Sequence, residues 1–286
     1  MTAVAINPVL APSDLLDHLG EPSSTLIEVS FYWPDRAAYA TGHIPGSRYV
    51  YWKDLLWDHL RREFPPPTVL AGRLGQLGVG GDSTLVLVGD PVQFATYAYW
   101  VLVMSGLATR ATVLDGGHAT WAQRGYPLTN EVPVTTSRVI VPSTPVTPER
   151  ELRIGRDEVR DGLAREGRVV LDLRSREEYA GERVAPLSAP FDHGAERGGH
   201  IPGARHLPLE RLLTSDGLFR PREELAAAVA AVGVSPDLEV VTCCRLGHRS
   251  TLGWFVLTHL LDHPRARVYD GSWTEWGSLV GFPIER

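Results

Sequence analysis

Cysteine is scarce in this sequence, and its scarcity limits both the fold and the compartment. Of the 286 residues only two are cysteine, Cys243 and Cys244, and they are adjacent. Adjacent cysteines can bridge only through a strained ring, which excludes a structural disulfide framework. Their spacing also does not match a zinc site, in which about two to four residues usually separate the cysteines. The sequence therefore predicts no metal site and a reducing compartment, the cytoplasm.

Long apolar runs and an excess of positive charge are also missing. The longest relevant run, residues 97–104, has eight residues, whereas a membrane span needs about 20. Residues 1–11 carry no basic side chain, so we expect no signal or transit peptide. The net charge of −6 gives no electrostatic footprint for nucleic acid or an anionic membrane, and we expect neither as a partner.

The chain repeats itself at a domain-sized period. The motif GHIPGS at residues 42–47 recurs as GHIPGA at 199–204, and VLDG at 113–116 recurs as VYDG at 268–271. The copies lie about 155 residues apart, which is far longer than a solenoid unit. A chain of this length corresponds to about 1.9 average domains. The sequence therefore predicts a tandem duplication.

The segment that joins the two copies is rich in Pro, Thr and Val, and its apolar residues do not recur at helical spacing. Such a segment favours an extended linker. We predict a first domain at residues 1–132, a linker at 133–149 and a second domain at 150–286.

The second copy contains an insertion. Tyr39 precedes His43 by four residues, whereas Tyr179 precedes His200 by 21. The extra 17 residues fall at about 182–198. Loops of this kind often line sites.

Apolar runs alternate with helical patterns in each copy. In the second copy, residues 168–173 (RVVLDL), 238–242 and 267–269 are typical of buried parallel strands. Apolar residues at helical spacing between 249 and 261 predict a helix after the second of these strands. The fold class is therefore α/β, with a parallel sheet flanked by helices in each domain.

The two cysteines stand where α/β sheets bind ligands, at the carboxyl end of a strand and before a helix. The residues that follow, 245–250 (RLGHRS), include two arginines and a glycine but no proline. Backbone N–H groups wrapped around a sulfur at a helix start form an anion nest, and such surroundings lower the pKa of a thiol. The alternative is a pair of small buried apolar side chains. An apolar lining would not need two arginines and a glycine, and we predict a reactive thiol.

The first copy is an internal control for this loop. An ungapped match of residues 90–100 with 244–254 places Asp90 opposite Cys244. Pro91 removes an N–H group, and both arginines and the glycine are absent. We therefore predict that the first domain is catalytically inactive.

Together these motifs resemble the tandem-domain rhodanese family. The motifs are the repeated GHIPG, LDLRS at 171–175, CRLGHR at 244–249 and DGSWTEW at 270–276. The resemblance extends from about Leu26 to the end. It implies two rhodanese-like domains, of which the second is active, and thiosulfate or 3-mercaptopyruvate sulfurtransferase activity without a cofactor.

The resemblance also implies a mechanism and roles for the loop. The Cys244 thiolate attacks the sulfane sulfur of the donor, and the resulting persulfide passes sulfur to a thiophilic acceptor such as cyanide. Arg245 and Arg249 are candidates for binding the anionic donor. The predicted loop and substrate-binding residues are Arg245, Leu246, Gly247, His248 and Arg249.

Several of these assignments have alternatives. Arg249 could instead bridge the loop to Asp172 or Asp270. Arg174 could help to bind anions or form a surface ion pair. His248 could tune the thiolate or face solvent.

The loop residues bear on the choice of donor. The animal thiosulfate enzymes resemble CRKGVT, so Arg245 and Gly247 agree and Leu246 replaces a lysine. Mercaptopyruvate enzymes instead have small residues at these positions. Glu178 stands where the thiosulfate enzymes place an anion-binding arginine, and His248 or Arg249 could supply the missing charge. The pattern favours thiosulfate.

Two rival functions use the same loop. Counting from Cys243, five residues separate the cysteine from Arg249, which is the spacing of cysteine-dependent phosphatases and arsenate reductases. A non-catalytic persulfide carrier that serves a protein acceptor is the third hypothesis.

Overall fold

The computed structural model describes residues 7–143, 149–189 and 191–286. They form two compact units: the first holds the described residues up to 143 together with Ser215–Leu218, and the second holds the rest. Residues 133–143 contain neither helix nor strand. The domain limits set from the sequence, 1–132 and 150–286, stay a prediction.

The first unit is built on a parallel sheet of five strands in the order β1-β5-β4-β2-β3. Its middle strand contains the continuous apolar run Leu85–Val88, as expected where helices cover both faces of a parallel sheet. The strands are β1 (Val9–Leu10), β2 (Ser24–Ser30), β3 (Arg48–Tyr51), β4 (Thr84–Asp90) and β5 (Ala111–Leu114). The helices are α1 (Pro12–Asp17), α2 (Trp52–Leu56), α3 (Pro67–Gln76), α4 (Gln93–Met104) and α5 (Gly117–Gln123).

The second unit repeats this plan with a parallel sheet of four strands in the order β7-β6-β8-β9. Its strands are β6 (Arg168–Asp172), β7 (Arg205–His206), β8 (Glu239–Cys243) and β9 (Ala266–Val268). Its helices are α6 (Glu149–Leu152), α7 (Arg156–Asp161), α8 (Arg176–Ala180), α9 (Arg222–Ala231), α10 (His248–Phe255) and α11 (Ser272–Trp276). Two parallel sheets flanked by helices confirm the predicted α/β fold class.

The elements predicted in the second copy differ from the observed ones mainly at their ends. The strands expected at 168–173, 238–242 and 267–269 are β6, β8 and β9, each displaced by at most one residue at either end. The helix expected at 249–261 is α10, and it continues into a π-helical turn at Val256–Leu260. Within the described residues, no helix is both long and apolar enough to cross a membrane.

Candidate active site

Cys244 directly follows the last residue of β8 and precedes α10, so it lies at the carboxyl end of a strand and the amino end of a helix. The side chain is buried, and its Sγ accepts a hydrogen bond from the N–H of Gly247 at 3.2 Å. Gly247 has φ of +98°, a conformation that glycine adopts without a Cβ clash. The first N–H groups of a helix have no acceptor inside the helix and bear partial positive charge. The loop therefore directs one backbone N–H group of the helix start at the sulfur.

Ser272 is a second contact of the cysteine loop, and the sequence analysis did not identify it. Its Oγ accepts a hydrogen bond from the N–H of Cys244 at 3.1 Å and lies 4.0 Å from Cys244 Sγ. The hydroxyl donates to the carbonyl of Tyr269 at 2.8 Å. Ser272 has φ of +53°, and its counterpart in the first repeat is Gly117. The signal available in the sequence was the serine that the second copy has where the first copy has Gly117.

Cys243 lies in a different environment from its neighbour. Successive side chains of a strand point to opposite faces, and Cys243 packs in the core of the second unit with Val241, Tyr269 and Trp276. Burial raises the pKa of the Cys243 thiol well above its ordinary value. A neutral thiol in an apolar core is a poor nucleophile. These surroundings disfavour Cys243 as the nucleophile, and the alternative that uses it, a phosphatase or arsenate reductase, stays a prediction.

Arg249 forms an ion pair that the sequence analysis assigned to other partners. Its Nη1 and Nη2 donate to the two oxygens of Glu178 at 2.6 and 2.7 Å, and the Glu178 side chain is fully buried. Burial disfavours the charge on both groups, but the bidentate pair outweighs it, lowering the pKa of Glu178 and raising that of Arg249. The predicted bridge from Arg249 to Asp172 or Asp270 is wrong. Since Glu178 neutralises Arg249, this arginine does not supply the extra charge expected for a donor.

Arg174 is neither a surface residue nor available to an anion. Its guanidinium is fully buried and binds Asp172, with Nη2 at 2.7 Å from the carboxylate. It also donates to the carbonyls of Glu178 and Gly199. These contacts join β6, α8 and the turn before β7, so Asp172 and Arg174 support the site as structural residues.

Asp270 lies just beyond β9, and its carboxylate is 3.6 Å from the Arg153 guanidinium. It is therefore tied to the segment before α7. Leu246 is partly buried in the cysteine loop, whereas His248 is buried at the first residue of α10. The solvent-facing alternative for His248 is wrong.

Arg245 is the remaining cation of the loop. Its Nη2 donates to the carbonyl of His193 at 2.7 Å, and its Nε is buried without a hydrogen-bond partner. Within the described residues, no carboxylate oxygen lies within 4.0 Å of its charged nitrogens. Of the two predicted donor-binding arginines, Arg249 is in a close ion pair, whereas Arg245 has no carboxylate within ion-pair distance among the described residues and feels Glu178 and Asp192 only from farther away.

The equivalent position of the first unit has a different structure. The Asp90 carboxylate accepts hydrogen bonds from the Ser30 hydroxyl at 2.9 Å and the Ala38 N–H at 3.1 Å. It thus binds its own loop and offers no sulfur nucleophile. Nearby, the buried Glu28 carboxylate accepts a hydrogen bond from His118 Nδ1 at 2.9 Å.

Comparison with known proteins agrees with this repeated architecture. The rhodanese-like domain matches the chain twice, at residues 11–124 and 155–279. The chain belongs to the rhodanese family. The two matches cover both units, which confirms the resemblance seen in the motifs.

Relatives in this family match along nearly the full length. The sulfur carrier protein TtuD of Thermus thermophilus is 38% identical over 284 residues, which is 97% of this chain and 96% of that protein. A protein of Saccharopolyspora erythraea named "Putative thiosulfate sulfurtransferase" is 40% identical over 252 residues, covering 88% of this chain and 87% of its own. The Mycolicibacterium smegmatis protein of the same name is 38% identical over 287 residues, with 99% coverage of each chain. These relatives identify a rhodanese-type sulfurtransferase.

A solved structure supports the fold. The anaerobic ergothioneine biosynthesis enzyme of Chlorobium limicola superposes with a TM-score of 0.78 over 99% of this chain and 71% of its own. Its sequence identity is 23%, so the likeness concerns the fold alone.

Proposed function

We propose that this rhodanese-family protein is a thiosulfate sulfurtransferase that carries sulfur as a persulfide on Cys244. The observation that carries the proposal is the hydrogen bond from the Gly247 N–H to Cys244 Sγ at the start of α10. This N–H at the start of a helix points at the sulfur that acts as the nucleophile in the proposed reaction. Names of relatives at 38–40% identity support the choice of donor.

The proposed reaction has two steps. The Cys244 thiolate attacks the sulfane sulfur of thiosulfate, forming a new S–S bond while the bond to the sulfonate breaks. Sulfite leaves with that electron pair. Cyanide or a thiolate then attacks the outer sulfur of the persulfide, takes it as thiocyanate or a new persulfide, and returns the Cys244 thiolate. This ping-pong chemistry requires neither a metal nor an organic cofactor.

Charge at the loop distinguishes the proposed donor from a neutral one. The Arg245 guanidinium lacks a carboxylate partner among the described residues, and charge-assisted hydrogen bonds to anions are the strong class. The sulfonate of thiosulfate suits this position. 3-Mercaptopyruvate, which is also anionic, stays the alternative donor.

The acceptor is the second open choice. The 38% identical relative TtuD is named a sulfur carrier protein, which favours transfer to another protein as a second candidate function. Both functions place the persulfide on Cys244. We place the protein in a reducing compartment such as the cytoplasm, because a free cysteine stays reduced there between transfers.

Matched alanine variants of the two cysteines test the proposal. Cys244→Ala removes the proposed nucleophile and should abolish thiosulfate:cyanide transfer. Cys243→Ala makes the same change in the core and should retain most of the rate. Activity that survives in Cys244→Ala, or an equal loss in both variants, would contradict the assignment. If both proteins are folded and wild type transfers sulfur only to protein thiols, the carrier function replaces the cyanide reaction.

A further inference from the structure

The three arginines near the cysteine loop differ in what neutralises them. Arg174 and Arg249 are paired with buried carboxylates at 2.7 and 2.6 Å. Arg245 has no such partner among the described residues, and its buried Nε lacks an acceptor. A partly buried guanidinium without a close counter-charge can form charge-assisted hydrogen bonds with an incoming anion. Arg245 is therefore the cation with the most to gain from a charged ligand.

The inserted segment, residues 182–198, holds Arg245 in place. The Arg245 Nη2 donates to the carbonyl of His193 at 2.7 Å. The next residue, Gly194, has φ of +114°, and a Cβ added there would lie 2.7 Å from the same Nη2. The segment thus approaches the guanidinium so closely that any side chain at Gly194 would displace it.

The inserted segment is itself fixed at both ends. The Asp192 carboxylate accepts hydrogen bonds from the N–H groups of Val184 at 2.8 Å and Ala185 at 2.9 Å. The Arg197 guanidinium donates to carbonyls of the C-terminal segment, those of Trp276, Gly277, Leu279 and Phe282, at 2.8–3.2 Å. The Arg197 carbonyl accepts from the Trp273 indole at 2.9 Å. The described residues of the segment, 182–189 and 191–198, are therefore held by contacts of their own, and those next to Arg245 can determine where it lies.

We propose that the inserted segment is the donor-selecting element of the site: it positions Arg245 to bind the anionic group of the donor beside Cys244. The substrate class is a sulfur donor whose sulfane sulfur is joined to an anionic group, as in thiosulfate. Burial lowers the pKa of Arg245, while the negative charges of Glu178, the Cys244 sulfur and Asp192 act in the opposite direction. This inference rests on the proposed function for the identity of the reacting sulfur.

The test uses a pair of alkylating agents that differ in charge. Iodoacetate is an anion and iodoacetamide is neutral, and both react with the Cys244 thiolate by displacement of iodide. The measured quantity is the ratio of their rates at Cys244, followed by peptide mass. Arg245→Gln should lower the iodoacetate-to-iodoacetamide ratio about ten-fold, since it removes one charge-assisted contact. Because both reagents react with the same thiolate, a change in its reactivity alters both rates equally and leaves their ratio unchanged.

Two variants of the segment test its positioning role. Gly194→Ala should lower the same ratio at least about three-fold by displacing the guanidinium. Asp192→Ala, at an exposed carboxylate, should lower it by loosening the segment. The matched control is Gly167→Ala, a glycine with φ of +79° and nothing within 4 Å of an added Cβ. That control should leave the ratio unchanged.

The outcomes separate this inference from the proposed function. If the iodoacetate-to-iodoacetamide ratio does not fall in Arg245→Gln, the anion-binding role of Arg245 is overturned. If the ratio falls in Arg245→Gln but in neither Gly194→Ala nor Asp192→Ala, the role of the segment is overturned. A ratio that falls as expected, in a protein that thiosulfate does not persulfidate, supports anion selection and contradicts thiosulfate as the donor. Normal thiosulfate turnover together with an iodoacetate-to-iodoacetamide ratio that Arg245→Gln does not change supports thiosulfate as the donor and contradicts anion selection by Arg245.

Discussion

Replacing Glu178 with glutamine should destabilise the second domain by breaking its buried ion pair. The Glu178 side chain is 0% exposed, and its oxygens accept from Arg249 at 2.6 and 2.7 Å and from the Ser175 N–H at 3.1 Å. Glutamine preserves the size and one acceptor but leaves the Arg249 charge without its counter-charge. Removing one partner of a buried pair costs about 3–5 kcal/mol. Because the Arg249 side chain keeps 16% exposure, we expect the lower end, about 3 kcal/mol.

Urea unfolding followed by circular dichroism measures this free energy in four proteins: wild type, Glu178→Gln, Arg249→Gln and the double variant. The double variant should be less destabilised than the sum of the single ones by at least about 1 kcal/mol, because the second change removes the orphaned charge. Glu223→Gln makes the same change at an exposed position and should cost less than about 0.5 kcal/mol. Additive single effects, or a Glu178→Gln cost below about 1 kcal/mol, would refute the reasoning.

The ion pair between Glu178 and Arg249 also determines the direction in which the free energy of unfolding changes with pH. The pKa of Glu178 is lowered because the bonds from Arg249 outweigh the effect of burial. A carboxyl group with a lowered folded pKa stabilises the fold fully above its unfolded pKa of about 4.3 and loses that contribution as pH falls through the folded pKa. The stability difference between wild type and Glu178→Gln should therefore narrow on acidification below about pH 4.3. A difference that widens there would contradict the assignment.

Three further predictions concern other buried groups. Ser272→Ala removes the acceptor of the Cys244 N–H and should slow persulfide formation about three- to ten-fold. The control Ser278→Ala removes an exposed hydroxyl that donates to the carbonyl of Thr274 and should leave the rate unchanged. Equal rates in the two variants would show that Ser272 does not position the loop. His118 has a raised pKa, because its bond to Glu28 outweighs the effect of burial. Its contribution to the free energy of unfolding should be complete below about pH 6.5 and should decline as pH rises through the raised pKa. His118→Gln should remove that decline, as measured by urea unfolding across this pH range. Cys243, with its raised pKa in the core, should stay unlabelled in the folded protein while Cys244 reacts with iodoacetamide, and peptide mapping that finds comparable labelling of both would place Cys243 outside the core.

Much of the fold could be predicted because the relevant signals are local or repeated. The continuous apolar runs of β6 and β8 fall where the sequence pattern put them, and the recurrence of GHIPG in two copies was enough to predict two domains. Local patterns locate elements less well at their ends. The π-helical turn at Val256–Leu260 shares the apolar spacing of α10, so its different hydrogen bonding left no separate signal.

The candidate site could be predicted only in part, because its ion pairs join distant residues. The loop cysteine follows from the strand end, a local feature. The partner of Arg249, by contrast, is 71 residues away, and the two carboxylates that the sequence analysis named, Asp172 and Asp270, did not include it. Glu178 had been noted as an acidic residue in the place of a family arginine. Its negative charge explains why Arg249 is neutralised, a relation that depends on the packing of α8 against α10.

Mass analysis of the thiosulfate-treated protein tests the central claim most directly. The account predicts a gain of one sulfur, about 32 Da, on the peptide that contains Cys244. The gain should be lost on treatment with cyanide, be absent in Cys244→Ala and persist in Cys243→Ala. A protein that is folded, carries a free Cys244 thiol and gains no sulfur from thiosulfate would contradict the account, as would an adduct that persists in Cys244→Ala.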